Sequence, residues 1–576
     1  MKKYLVYMTC AAAAMIGGTG CSDFGDVNMD PEHLNSENIP TELLFTNGQH
    51  QMLGSDWDVW RNGCIYAAQW MSHTASFNWL GNANYTWNDG YSGAYWEIYN
   101  GDTRGALRDM KDAVEAWKED PSRQTDYQIA RIMLAYGMHR MTDLYGDIPY
   151  SQAVQPELYS FPEYDTQQSI YMDLLKELNE AQAALNGASA AAMKSADNFY
   201  QGDASKWRKF ANSLMLRMAM RMSKVDPAAA EQWVKTAVAN GVFESDADNC
   251  MLMHAGGLTT NDSSEPYAKI YSHEDRGNFF LTEYFVDLLK RTNDPRLPLI
   301  GTVCEDPTIS VQAGSDFQYG NSDPAVQKGL PSGFSDSPDS PWFVGNKYPE
   351  FKDEDYRSTY RSRYSTINRY TYSDPTGPTF VCTYAQTQLL LAEAAVRGWV
   401  GGSAQAYYEN GVRAAMRQFA QFPNGTALYN QYLTQAAIDR YLTENPFNAS
   451  NALEQINTQY WINCFCDEYE TFANWRRSGY PELKSTYDAA NPYPNADTNG
   501  EIPRRFRYPS KESQDNAANY EAAVSRLSGG DHFSSRIWWD VISTGLVSSD
   551  RCHSLRLSPS FERSAISRRR AEAAFS

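Results

Sequence analysis

The chain has 576 residues and a formal net charge of −20, from 70 Asp plus Glu against 50 Lys plus Arg. A field of that sign repels phosphate backbones and anionic headgroups, which excludes nucleic acid as a partner. Aromatic residues make up 13%, with 38 Tyr and 15 Trp, rings suited to stacking a ligand or a protein surface as well as to packing helices.

The chain opens with Lys2 and Lys3, an apolar run from Tyr4 to Ile16 and small Gly17, Gly18, Thr19 and Gly20, the three parts of a signal peptide. Residues 1–20 are therefore expected to be removed and Cys21 to carry a lipid anchor, although Gly18 stands where a lipobox usually has Leu. The alternative is an ordinary signal peptide with an incidental Cys21. No later run reaches the roughly 20 apolar residues a spanning helix needs, so the mature chain is expected to be anchored and not to cross the bilayer. Ser22, Asp23 and Asp26 resemble the acidic signal that follows the cysteine in lipoproteins sent to the outer face of the outer membrane.

Helical periodicity dominates the chain beyond the leader. Ile129, Ile132, Met133 and Tyr136 form one stripe that ends near Leu144 and Tyr145, with Gly146 as a left-handed cap. Further stripes run over 168–185, 281–291 and 383–397. Trp207, Phe210, Ala211, Leu214 and Met218 line one face of another helix, with Arg208, Arg217 and Arg221 on other faces or flanks. Leu391-Ala392-Glu393-Ala394, the glycines 398, 401 and 402, and Ala404, Ala406, Tyr407 and Tyr408 read as a tetratricopeptide-type hairpin. The fold class is thus mostly α: degenerate helical pairs, long irregular loops and few short strands.

Two stretches lack a period. From 78 to 96, Trp79, Tyr85, Trp87, Tyr91, Tyr95 and Trp96 alternate with Asn82, Asn84, Asn88 and Asp89. Rings beside a few amide and carboxylate groups suit a sugar or peptide site, since apolar contact supplies affinity and sparse polar groups fix orientation; a loop pinned to the helices by its rings would look the same. From 302 to 379 the chain turns to Gly, Pro, Ser, Asp and Tyr, with Tyr319 and Trp342 as further candidates. The ligand-binding candidates are Trp79, Asn82, Tyr85, Trp87, Tyr91, Tyr319 and Trp342.

Nine cysteines, less Cys10 in the leader and Cys21, leave an odd seven, read as free thiols; Cys464 and Cys466, one residue apart on a helix, suit neither a bridge nor zinc. The histidines are isolated, and no metal site or cofactor is expected. No nucleophile elbow, zinc-protease, phosphate-loop or dinucleotide motif occurs, so the chain is not expected to be an enzyme. Two distant carboxylates brought together by folding would still allow a surface glycoside hydrolase, and a tetratricopeptide-like protein scaffold is the third reading.

Thr142-Asp143-Leu144-Tyr145-Gly146-Asp147-Ile148-Pro149-Tyr150, followed by Tyr164-Asp165-Thr166-Gln167, resembles the signature region of the SusD/RagB nutrient-binding lipoproteins. Lys206 to Leu214, Leu391 to Gly398, Asn474 to Pro481, Ile502 to Pro509 and Arg536 to Asp540 extend the resemblance, in order, over 21–540. It implies a single domain that caps a SusC-like TonB-dependent transporter, takes up oligomeric nutrients, more often glycan than peptide, and performs no catalysis. The anchor would hold such a lid near its barrel at high effective concentration. Within the signature, Asp143 and Asp147 are expected to fix a corner, Asp147 by a local turn. Arg476, Arg477, Arg504, Arg505 and Arg507 are expected to pair with acidic neighbours, and Glu393 to be a buried carboxylate satisfied by arginine. Residues 541–576, rich in Ser and Arg, depart from the pattern and are expected to be loosely ordered.

Overall fold

The computed structural model describes residues 39–99, 105–257, 263–304, 320–494, 496–498 and 500–542. The leader with Cys21, Tyr319 and the tail after Ile542 lie outside the described residues.

Successive helices are neighbours in space. The Thr41–Leu53 helix packs on Ala106–Lys118, then come Gln124–Tyr145, Gln167–Ala184, Ala204–Arg221 and Pro227–Asn240, each against the one before. A second set, Tyr384–Val396 with Ala404–Arg417 and Ala452–Asn463 with Glu468–Ser478, joins the first where Ala204–Arg221 meets Tyr384–Val396. This is the predicted stack of helical pairs. Side chains set the helix starts: Thr166 accepts from the Ser169 amide, Asp203 from Ser205 and Lys206, Asp226 from Ala229 ahead of Pro227, and Thr383 forms a reciprocal box with Gln386. Each satisfies amides that a first turn leaves open. In the 384–417 hairpin, Ala385, Ala414 and Ala415 form a buried contact of their own, so the two backbones approach closely.

From Phe210 onward the Ala204–Arg221 helix is enclosed on every side, so two of the arginines expected off its apolar stripe are not in water, while Arg208 near its start is half-buried. Arg217 and Arg221 are 2% and 0% exposed, and both reach Glu470, Arg217 at 3.7 Å. Arg221 also meets Asp143 at 3.3 Å. Asp143 in turn accepts from the Tyr171 hydroxyl and from Trp539 Nε1 at 3.1 Å, which makes it a core hub and not a corner residue. Asp147 ties elements together instead of closing its own turn: it accepts from the Gln167 amide at 2.8 Å and from the Arg526 guanidinium. Gly146 has φ +88° and ψ −122°, a glycine conformation but not the left-handed cap, and a Cβ there would lie 2.9 Å from Ile537 Cγ2.

Most of the later arginines find carboxylates. Arg477 meets Glu393 at 2.6 Å, Arg504 pairs with Asp540, Arg505 with Asp531, and Arg507 lies 3.5 Å from Asp497. Arg476 departs from the expectation by donating to backbone carbonyls, Asp143 O at 2.6 Å and Arg504 O at 2.9 Å. Cys464 and Cys466 sit past the end of the Ala452–Asn463 helix, not on it, and Cys466 has φ +66°. The six cysteines among the described residues are free.

Short strands stitch the irregular segments to this body. Thr74–Ala75 pairs antiparallel with Phe280–Leu281, and Cys250–Met253 with Pro378–Cys382; Gly301–Cys304 is the centre of a three-stranded sheet between Gly320–Asn321 and Ser365–Ile367. A small separate core of Phe77, Phe280, Leu330, Phe343, Phe351 and Tyr360 fixes the 330–364 segment against the 75–77 strand end. Among the described residues, no helix is long and apolar enough to cross a membrane, and no three His, Cys, Asp or Glu converge as a metal site.

Candidate functional site

The 78–96 stretch is less irregular than its sequence suggests. It folds into short helices at Leu80–Ala83 and Asp89–Ser92 and a 3₁₀ turn at Ala94–Ile98, the second capped by the Asn88 side chain on the Tyr91 amide. Just upstream, the chain widens into a π-helical segment, Val59–Ala67, a form that often marks functional sites. The two segments share a cluster of rings. Trp60 and Trp79 meet edge to face at 5.5 Å, and Tyr91 lies 6.1 Å from Trp79 and 6.4 Å from Trp60. Trp57, 41% exposed, extends the cluster outward with the Arg61 guanidinium 3.0 Å over its ring.

The strand pair Thr74–Ala75 with Phe280–Leu281 brings the 275–278 turn beneath these rings. Asp275 Oδ2 accepts from Trp60 Nε1 at 2.8 Å and from Trp79 Nε1 at 2.7 Å, while Asn278 Nδ2 donates to Oδ1. Asn78 Nδ2 donates to Asn278 Oδ1 at 2.5 Å.

Trp342 forms a second wall. Its indole N–H donates to the Asn491 carbonyl at 2.9 Å, and its ring packs 4.5 Å from Tyr493. Gly81, two residues beyond Trp79, approaches the same Tyr493 ring, with a built Cβ only 3.2 Å from it, so Tyr493 joins the two walls. Trp87 is half-buried beneath Arg507 at 3.9 Å, with an indole N–H that has no partner among the described residues.

One candidate faces inward. Tyr85 is 2% exposed, accepts from the Thr486 amide at 3.0 Å and contacts Ser485 Oγ at 3.1 Å; burial raises its phenol pKa. It braces the 485–497 loop and offers no face to a ligand. Asn82, half-buried, gives its backbone carbonyl to Trp70 Nε1 at 3.1 Å. Tyr319 lies outside the described residues. Trp57, Trp60, Asp275 and Tyr493 were not anticipated; the i, i+3 spacing of the first two tryptophans was the available signal.

The rings line none of the larger cavities described. One, of about 610 Å³ between the Glu283–Arg291 and Gln435–Glu444 helices, is bordered by other residues. Another, of about 620 Å³, is lined by Asp497, Thr498, Glu501 and His532 and borders the platform loop where Ala496 pairs with Thr86.

Helical pairs with aromatic rings clustered on the segments between them define the class: a helical scaffold that carries its candidate surface on its connections. Residues 33–509 match SusD-like_2, described as "Starch-binding associating with outer membrane", and the chain belongs to this SusD-like family. Among solved structures it is similar to a chitin-binding protein (32% identity, TM-score 0.71, covering 87% of this chain and 100% of that one). It is also similar to a Bacteroidetes AC2a SusD-like protein (27%, TM-score 0.74, 88% and 100%) and to a chitin-binding SusD homolog from Flavobacterium johnsoniae (25%, TM-score 0.65, 87% and 98%). Two of these relatives are described as chitin-binding, and the family is outer-membrane associated. No curated protein matches the chain.

Proposed function

We propose that the protein is a surface lipoprotein, anchored through Cys21, that binds chitin-type oligosaccharides on the Trp60, Trp79, Tyr91 and Trp342 surface and hands them to a SusC-like TonB-dependent transporter. The observation that carries this reading is the half-buried ring cluster held on rigid supports, in a chain 32% identical to a protein described as chitin-binding. Pyranose rings with equatorial substituents present C–H faces that stack on indole and phenol, with amides such as Asn78 available for hydroxyl and acetamido groups. A peptide would use the same rings but would seek backbone hydrogen-bond partners.

The partner reading is supported by a loop remote in sequence. Leu158, Tyr159 and Phe161 are 72%, 40% and 67% exposed on a segment pinned by Asn516 and Asn519 to the Pro162 carbonyl; apolar side chains held rigidly in water suit a protein partner. The domain is proposed to run over 21–540, with 541–576 as an appendage.

Calorimetry of protein lacking residues 1–21 against chitin, starch and peptide oligomers, with product analysis afterwards, tests the function. Heat with intact chitin oligomers is the expected result. Cleaved oligomers would make it an enzyme, peptide binding would replace the ligand class, and no heat with any oligomer would leave a scaffold.

A further inference from the structure

Asp275 is 8% exposed and lies 196 residues beyond Trp79 in sequence, yet its carboxylate touches both tryptophans of the platform. One oxygen receives two indole N–H groups and the other receives the Asn278 amide. Hydrogen bonds to an ionised acceptor are about twice as strong as neutral ones. Trp79 occupies the N-cap of a helix only four residues long, at φ −106° and ψ 33°; Trp60 and Tyr91 pack against its ring, and the bond to Asp275 is what fixes the direction of its N–H edge.

We propose that Asp275 is the positioning residue of the ligand platform: it clamps Trp60 and Trp79 by their edges so that only their faces are offered to the glycan. This rests on the platform reading above. With both N–H groups spent on Asp275, the indoles give a ligand stacking and no hydrogen bond. Hydroxyl recognition then falls to side chains at the rim such as Asn78, which is itself tied through Asn278 to the same carboxylate. Holding the rings before binding avoids the cost of ordering them when the ligand arrives.

The test is calorimetry of the purified protein with chitohexaose, alongside thermal melting and indole N–H resonances. Asp275→Ala is expected to weaken binding about tenfold, or ~1.4 kcal/mol, to keep a cooperative melt and to shift two indole N–H signals. Asp275→Asn keeps a neutral oxygen for the indole N–H groups but turns an amide N–H toward the donating Asn278 amide, and is expected to bind between the parent and alanine; Asp275→Glu moves the carboxylate outward by one methylene and is expected to bind as poorly as alanine. If Asp275→Ala fails to fold, the contrast between the Asn and Glu variants decides. Parental affinity in Asp275→Ala or Asp275→Glu, with Trp79→Ala impaired, would overturn the clamp and leave the platform standing. An Asn variant as weak as alanine would also overturn it. Parental affinity in Trp79→Ala would remove the platform itself.

Discussion

Arg477 and Glu393 meet as fork on fork in the core, with Nη1 2.6 Å from Oε1 and Nη2 2.8 Å from Oε2, each side chain 1% exposed. Arg397 adds a second cation at 2.7 Å, and Asn457 and Asn474 satisfy what remains of the pair. The contact fastens the Tyr384–Val396 helix to the Glu468–Ser478 helix. Burial pushes the Glu393 pKa up, but Arg477 and Arg397 outweigh it and hold the carboxylate well below its ordinary value.

Removing one partner leaves a buried charge uncompensated, so Glu393→Ala or Arg477→Ala is expected to cost about 3–5 kcal/mol. Because the pair is one unit, the double variant should cost less than the sum of the singles. Urea unfolding of the three variants measures both.

A second set of buried acids works in the opposite direction with pH. Burial pushes Glu265 up to about 7, against hydrogen bonds from Ala268 and Thr379, and Asp467 up to about 6, against Arg140. A carboxyl whose pKa is higher folded than unfolded binds more protons in the native state, so its contribution declines as pH rises from about 4.5 to 7. His254, held near 4 mainly by burial, gains stability over pH 4 to 6.5. The isolating measurement is therefore a comparison: the melting temperature of Glu265→Gln minus that of the parent should rise from pH 5 to pH 8.

For Glu393, Asp143 and Glu470, all held below their ordinary values, the sign reverses. Their stabilisation is complete above the unfolded carboxylate range near 4 to 4.5 and is lost as pH falls beneath it. Cooperative acid unfolding below pH 4 is expected, and Glu393→Gln should flatten its onset in a circular-dichroism titration.

Trp342 and Tyr85 should separate binding from folding. Trp342→Ala opens a half-buried wall and is expected to weaken oligosaccharide binding about tenfold with a stability loss of no more than about 1 kcal/mol. Tyr85→Ala empties a core site and should cost about 3–5 kcal/mol, as large buried aromatics do. Paired calorimetry and melting measure the two effects.

On the anchoring proposed above, Cys21→Ser removes the thiol that would carry the lipid and should move the protein from the membrane fraction to the soluble one. Fractionation with radiolabelled palmitate incorporation reads the outcome.

The helices read from the sequence, such as Gln124–Tyr145, Gln167–Ala184 and Glu283–Arg291, were legible from apolar stripes with the helical period, and some begin at a visible cap, as at Thr166, Asp203 and Thr383. The burial of Arg217 and Arg221 was not, because periodicity reports one apolar face and not whether a second layer covers the others. In the platform, Trp79 and Tyr91 were legible from ring density alone. Tyr85 has the same local surroundings yet points inward, because the distant Ser485 and Thr486 receive it. Asp275 carries no local signal at all; a two-residue strand pairing across more than 200 positions delivers it.

Burial keeps five thiols quiet. It raises those of Cys64, Cys250, Cys464 and Cys466 well above their ordinary range, and that of Cys382 to about 11, so these five hold almost no reactive thiolate at neutral pH. Cys250 and Cys382 nevertheless face one another across a strand pair. For a member of an outer-membrane-associated family, oxidising conditions on the way there would meet these two thiols as accessible groups only until that strand pair closes over them.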